Sequence, residues 1–241
     1  MTIGPWIKNL PQKQGTRLAR SLVLGLSVVA VLWGLKVYYL PSLRLKQADH
    51  AVIGLADKHQ LRDGDIIFQT SRSAQSQAIQ LATGSKYSHC GLIFQADNGK
   101  QEWVVLEAVQ PVKWTPLSSW IARGEGGHYV VKRPRTDPPL SGQMLQAVKA
   151  AGEQFVGKDY DLYFGWGDER MYCSELIWKA YHTATGLEIG KLQKLRDFDL
   201  SDPVVSKKLK ERYGDKLPLD EEVISPASIF ESPLLSTIAE E

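Results

Sequence analysis

The stretch that most restricts the fold runs from Tyr87 to Ala108. Tyr87-Ser88-His89-Cys90-Gly91-Leu92-Ile93-Phe94-Gln95 reads as one strand, and Trp103-Val104-Val105-Leu106-Glu107-Ala108 as its return. Only a short turn around Asp97-Asn98-Gly99 separates them, so the two strands pair antiparallel. A three-residue turn, type I followed by Gly99 in the left-handed region, sets the register. Ala96 then opposes Lys100, Ile93 faces Trp103, Gly91 faces Val105 and His89 faces Glu107. Directly opposed Cβ atoms lie roughly 4.5–5.5 Å apart, which sets a carboxylate beside an imidazole. That carboxylate holds one ring nitrogen and leaves the other as a base. A two-residue Asn98-Gly99 loop would slip the register by one and turn Glu107 to the opposite face. Cys90 alternates away from His89 with Leu92 and Phe94, and is expected in the core.

A base needs a nucleophile, and Tyr172-Cys173-Ser174-Glu175-Leu176-Ile177-Trp178 supplies one. Leu176, Ile177, Ala180, Tyr181 and Ala184 recur at helical spacing, with Gly186 as the closing cap. The thiol therefore stands at the helix start. There the unpaired N–H groups and the positive end of the dipole favour thiolate over thiol. The same N–H groups can receive an oxyanion developing on an attacked carbonyl. Each residue alone has a plainer reading: Cys173 as a small buried hydrophobe, His89 as a hydrogen-bonded core histidine, Glu107 as a rim charge. The combination of histidine at a strand start, glutamate across the hairpin and cysteine at a helix start points to covalent catalysis.

Around these, Leu61–Phe68 reads as a turn feeding a strand, and Ser71–Thr83 as a helix with Ser71 or Ser73 capping it and Gly84 ending it. His128–Arg133 reads as a strand. Ser141 caps a helix with Leu145, Val148, Ala151 and Phe155 inward and Gly157 as its stop. A further helix covers about Asp202 to Tyr213, and its Lys207, Lys208, Lys210 and Arg212 read as a solvated face. Tyr160–Trp166 is aromatic and is expected to wall the groove leading to Cys173, with core filling as the alternative. Tyr87, Tyr160 and Tyr172 are the expected substrate contacts.

The first sixty residues differ in character. Met1–Arg20 carries Lys8, Lys13, Arg17 and Arg20 and no acidic residue; Ser21–Leu40 is apolar apart from Lys36. About 20 residues span a bilayer as a helix, so this run is expected to be an uncleaved transmembrane anchor with Lys36 snorkelling. A signal peptide is the rival, but bulky residues after Leu35 offer no cleavage site. The positive-inside rule leaves residues 1–20 in the cytoplasm, with residues 41–57 as a stalk, a domain over 58–234 on the far side, and a tail at 235–241. His50 and His59 are expected to be solvated. The net charge of +2 argues against nucleic acid as a partner. Two cysteines can form neither a disulfide scaffold nor, alone, a four-cysteine metal site. The mechanism requires no metal and no cofactor.

The series Leu-Arg-Asp-Gly-Asp-Ile-Ile-Phe, Tyr-Ser-His89-Cys-Gly-Leu, Leu-Glu107-Ala, Tyr160-Asp161 and Tyr172-Cys173-Ser-Glu-Leu resembles the YiiX/YaeF-like hydrolases. These belong to the circularly permuted, NlpC-type branch of the papain fold, in which the histidine strand precedes the cysteine helix. The resemblance covers about residues 58–234. It implies an α+β fold with an antiparallel sheet packed with helices, here following one N-terminal membrane helix. It also implies Cys173 as nucleophile, His89 as base, Glu107 as the residue orienting the histidine, and hydrolysis of an amide or ester. Cell-wall peptides, peptidoglycan fragments and acylated or lipid-like molecules are the substrates it brings into view. Lipid acyl transfer or phospholipase chemistry is an alternative, as is a catalytically silent domain that holds peptide or lipid. The expected location is the bacterial inner membrane, single-pass, with the domain facing the periplasm.

Overall fold

The computed structural model describes residues 32–33, 35–58, 60–73, 75–99 and 101–241. Met1–Arg44 and Leu45–Glu241 form two compact units. Most of the expected anchor, residues 21–31 and 34, lies outside the described residues, as does His59. Among the described residues no helix is long and apolar enough to cross a membrane. A π-helical turn, Leu35–Tyr39, precedes helix α1 (Leu40–Asp57). The segment expected to be a stalk is thus helical, and within the second unit Ala48 and Leu55 are buried on it.

A six-stranded antiparallel sheet organises the second unit. It is built from β1 (Asp65–Gln69), β2 (His89–Gln95), β3 (Trp103–Glu107), β4 (Lys113–Pro116), β5 (Val130–Pro134) and β10 (Leu235–Glu240), in the order β10-β5-β1-β2-β3-β4. Side chains alternate between its faces. One face carries Cys90, Leu92, Phe94 and Leu106, and packs on helix α4 (Gly142–Glu153) and helix α5 (Cys173–Thr185). The other carries Ile67, Ile93 and Val105, and packs on α1 and the short helix α3 (Leu117–Arg123) through Leu55, Leu117 and Trp120. Both faces are covered, which explains why β1 is buried at every position.

Local signals set the helix ends. Ser141 accepts a hydrogen bond from Met144 N to start α4, and Gly186 closes α5 in the left-handed conformation (φ 75°). Asp202 and Pro203 start α6 (Pro203–Tyr213), where Asp202 accepts from Val204 N. Helix α2 (Ser76–Thr83) begins later than expected. Ser71 and Ser88 instead tie the preceding loop to the sheet, with Ser88 Oγ accepting from Ser71 N at 2.9 Å. Short two-stranded pairs, β6 (Asp159–Tyr160) with β7 (Arg170–Met171) and β8 (Gln193–Lys194) with β9 (Glu222–Val223), flank α5, and α7 (Pro226–Phe230) follows.

The hairpin departs from the expected register. Gln95 pairs with Trp103 and Ile93 with Val105, so the connection is longer than three residues. Ala96 N donates to Glu102 O at 2.8 Å across its base, while Gly99 is left-handed as expected (φ 71°). Gln101 and Glu102 are polar and stay in the loop instead of extending the ladder. The slip is two residues, so every side chain keeps its face. Carried outward, this register sets Glu107 opposite Gly91 and diagonal to His89.

Candidate active site

Glu107 ends β3 and is fully buried, so its charge demands partners. His89 Nε2 lies 2.7 Å from Glu107 Oε2. Thr115 Oγ1 donates to Oε1 at 2.6 Å, and Arg123 Nη2 donates to Oε1 and Oε2 at 2.7 and 2.6 Å. The diagonal contact is open because position 91 is glycine. A Cβ there would stand 2.4 Å from Val105 Cγ1 and 3.0 Å from Leu106 O. Burial works to raise the Glu107 pKa, but the bonds and charges of His89 and Arg123 outweigh it and hold the carboxyl at about 2. Thr115 and Arg123 were not foreseen. A buried glutamate calls for a cation, but nothing in the sequence says that one at the end of α3 reaches it.

His89 stands at the start of β2, 8% exposed, its ring stacked on Trp120 with centroids 5.7 Å apart. With Nε2 engaged by Glu107, Nδ1 is left for Cys173. Burial opposes the charged ring, yet hydrogen bonds and charge from Cys173 and Glu107 raise its pKa to about 9. Cys173 is the first residue of α5, as the sequence indicates, and is 2% exposed. Tyr172 and Ser174 anchor this helix start on the neighbouring segment: Ser174 Oγ donates to Ile224 O at 2.7 Å and Ile224 N donates to Tyr172 Oη at 3.2 Å.

Cys90 is fully buried, as expected, but its role differs from plain core filling. The face on which it lies is the one α5 packs against, so its thiol meets Cys173. That thiol's hydrogen bond is the largest influence holding Cys173 well below the ordinary thiol range. Burial opposes it, and the hydrogen bond and charge of His89 add to it. Burial, followed by the bond and charge of Cys173, pushes the Cys90 thiol up. Both cysteines are free, so no bridge removes the sulfur. The helix N-terminus favours the same thiolate. The arrangement can therefore hold a thiolate–imidazolium pair backed by a carboxylate.

Cys173 opens onto an apolar cleft. Ala78 and Ile79 of α2, Phe164, Val205 and Leu209 of α6, and Val223 line it, among others. Tyr160 and Tyr172 also line it, whereas Tyr87, expected there from its nearness to His89, does not. Its ring is spent in the core, stacked on Phe230 with centroids 4.1 Å apart. The aromatic segment divides: Phe164 faces the cleft, whereas Trp166 packs edge-on against Trp178. Lys208 and Arg212 line the same cleft and are half-buried, so only Lys207 and Lys210 of that basic face are fully solvated. Arg212 Nη2 donates to Gln75 Oε1 at 2.8 Å, and its guanidinium lies 5.2 Å from the Phe164 ring centroid.

A covered antiparallel sheet that delivers a histidine from a strand to a cysteine at a helix start is the architecture of a papain-like cysteine hydrolase. The histidine comes first along the chain, so the order is permuted. The family model described as permuted papain-like amidase enzyme, YaeF/YiiX, C92 family, matches residues 60–239, and the chain belongs to that family. YiiX of Escherichia coli (strain K12) is 50% identical over 182 residues, covering 76% of this chain and 88% of that protein. A crystal structure described as metalloprotein YiiX from Escherichia coli O157:H7 superposes with a TM-score of 0.71 at 50% identity, covering 76% of this chain and 98% of that one.

Proposed function

We propose that this chain is a cysteine hydrolase that cleaves an amide or ester of an acyl group, with Cys173 as nucleophile, His89 as acid and base, and Glu107 orienting the ring. The observation that carries this reading is the buried series of Cys173, His89 and Glu107, with the sulfur at a helix N-terminus. The Cys173 thiolate attacks the carbonyl carbon, and N–H groups of the first turn of α5 receive the oxyanion. As the bond to the leaving nitrogen or oxygen breaks, the His89 imidazolium protonates that atom. Neutral His89 then takes a proton from water, whose oxygen attacks the thioester. The carboxylic acid departs and the thiolate–imidazolium pair is restored. Glu107 holds the tautomer throughout.

The apolar cleft at Cys173 favours an acyl chain as the acylating group, ahead of a cell-wall peptide. Full-length protein incubated with N-acyl amides of graded chain length and with peptidoglycan-fragment peptides, read by mass spectrometry, separates the two. Release of fatty acid that rises with chain length, absent in Cys173→Ala, is expected. Preferential peptide cleavage would favour the cell-wall reading. For a silent binding domain, Cys173 would alkylate at neutral pH no faster than an ordinary free cysteine.

Membrane attachment belongs to the same proposal. It rests on the basic flank before Ser21–Leu40 and on the exposed apolar side chains of Leu32, Trp33, Val37, Tyr38 and Tyr39. Residues 21–40 would anchor the chain in the bacterial inner membrane with the hydrolase on the periplasmic side. Protease accessibility in spheroplasts tests that orientation: a domain shielded until lysis contradicts it. The Escherichia coli O157:H7 relative is described as a metalloprotein. Among the described residues, no group of three or more His, Cys, Asp or Glu side chains could hold a metal ion, and no step here runs through one.

A further inference from the structure

A second cleft opens on the far side of the site. It is lined by His89, Arg72, Arg123, Gln69, Ser73 and Gln110, among others. Gln75, Ile79 and Tyr160 line both clefts and form the wall between them. Cys173 lines the apolar cleft and His89 lines this second one. That division has a chemical meaning. In acyl transfer the acyl group ends on the sulfur, and the leaving atom must reach the imidazolium that protonates it. The leaving group therefore occupies the His89 side.

The charge of that side is one-signed. Its lining holds two arginines and a histidine and no aspartate or glutamate. Arg123 and protonated His89 are balanced by Glu107 and the Cys173 thiolate, two cations against two anions. The excess charge rests on Arg72, which is exposed and makes no hydrogen bond or ion pair among the described residues. Arg123 engages Glu107 through Nη2 alone, its side chain is 42% exposed, and its remaining N–H groups have no partner among the described residues. Gln69, 1% exposed, has a carboxamide oxygen with no donor among the described residues. It lines the same cleft, with that oxygen buried beside Gly124.

We infer that the cleft beside His89 is the leaving-group subsite, and that it takes a leaving group bearing an anion, a carboxylate or a phosphate, held by Arg72 and the free N–H groups of Arg123. The preferred substrate is then an amphiphile laid across the Gln75–Tyr160 wall, with its acyl chain on the sulfur side and its charged head on the imidazole side. This inference rests on the proposed hydrolase reading for its orientation; the anion preference itself is a property of binding.

Binding to full-length Cys173→Ala tests it without turnover, using two pairs of ligands that share an acyl chain and differ in charge. N-dodecanoylglycine against N-dodecanoylglycinamide reads a carboxylate. N-dodecanoylethanolamine phosphate against N-dodecanoylethanolamine reads a phosphate. A charge-assisted contact with a half-exposed guanidinium predicts roughly tenfold tighter binding of the charged member of at least one pair. Adding Arg72→Gln should collapse that ratio toward one, whereas Lys207→Gln, on the solvated side of α6, should leave it as it was. The pair showing the larger ratio assigns the anion. Equal binding within both pairs, or a ratio untouched by Arg72→Gln, overturns the inference. Retention of the ratio with no turnover of any amide or ester by the unmodified protein would support the anion preference while sinking the hydrolase reading.

Discussion

Replacing Glu107 with glutamine tests the electrostatic core of the site. Glutamine matches glutamate in size, and its oxygen can still accept from His89 Nε2; its amino group replaces the oxygen that accepts from Thr115 and Arg123, so the charge is lost together with those bonds. Burial by itself would lower the His89 pKa; its rise to about 9 depends on Cys173 and on the 2.7 Å contact with Glu107. A hydrogen bond to a charged group contributes about 1.5–3 kcal/mol, and each pKa unit corresponds to about 1.4 kcal/mol. Glu107→Gln should therefore lower the His89 pKa by roughly one to two units. Titration of the His89 imidazole by NMR reads this directly, with the resonance assigned by its loss in His89→Gln. The alkaline limb of the hydrolysis profile should move down by the same amount, because protonation of the leaving group needs the imidazolium. An unchanged His89 titration in Glu107→Gln would refute the claim that this carboxylate sustains the charged ring.

Stability against pH carries a second test. The raised His89 pKa contributes stability that is full below about 6.5 and lost as pH rises through about 9. The depressed Cys173 pKa acts oppositely: its contribution is full above the ordinary thiol value of 9.0 and is lost as pH falls through the folded value. Between 6.5 and 9 the pair takes up no net proton on folding, so its contribution is flat. Below 6.5 the unfolded pair binds one proton more than the folded ion pair, so stability of the unmodified protein should rise with pH there; Cys173→Ala, which loses the thiolate, should lack that rise in urea melts, and parallel profiles for the two proteins would contradict the ion pair. Gly91→Ala should destabilise the domain by about 1–3 kcal/mol through overpacking against Val105 and the Leu106 carbonyl, read as a lowered Tm. Ala78→Phe should fill the apolar cleft and reduce kcat/KM for dodecanoyl amides about tenfold or more, while acetyl amides change little. Equal losses on both would remove the cleft from acyl recognition.

Much of the site could be read from the sequence because it rests on short-range patterns. Helical spacing from Leu176 to Ala184 and Gly186 placed Cys173 at the first position of its helix, where it is found. Strand period kept His89 and Glu107 on one face even though the register slipped by two, since an even slip preserves the face. What escaped was long-range. Arg123 reaches Glu107 from the end of a separate helix, and Thr115 from the next strand. Alternation correctly sent Cys90 away from His89, but no periodicity says which helix covers that face. The adjacency of the two thiols therefore emerged only from the packing of α5 on β2. Tyr87 shows the converse: nearness to His89 in sequence did not bring its ring to the cleft, because Phe230 holds it in the core.

The central claim, that the Cys173 sulfur takes the acyl group, is tested most directly by acid-quenching the full-length protein during turnover of an N-dodecanoyl amide and mapping its peptides by mass spectrometry. The account predicts a single dodecanoyl adduct on the peptide containing Cys173, formed as the amine is released and absent in Cys173→Ala. Acyl transfer to any other residue, or undiminished amine release by Cys173→Ala, would contradict it.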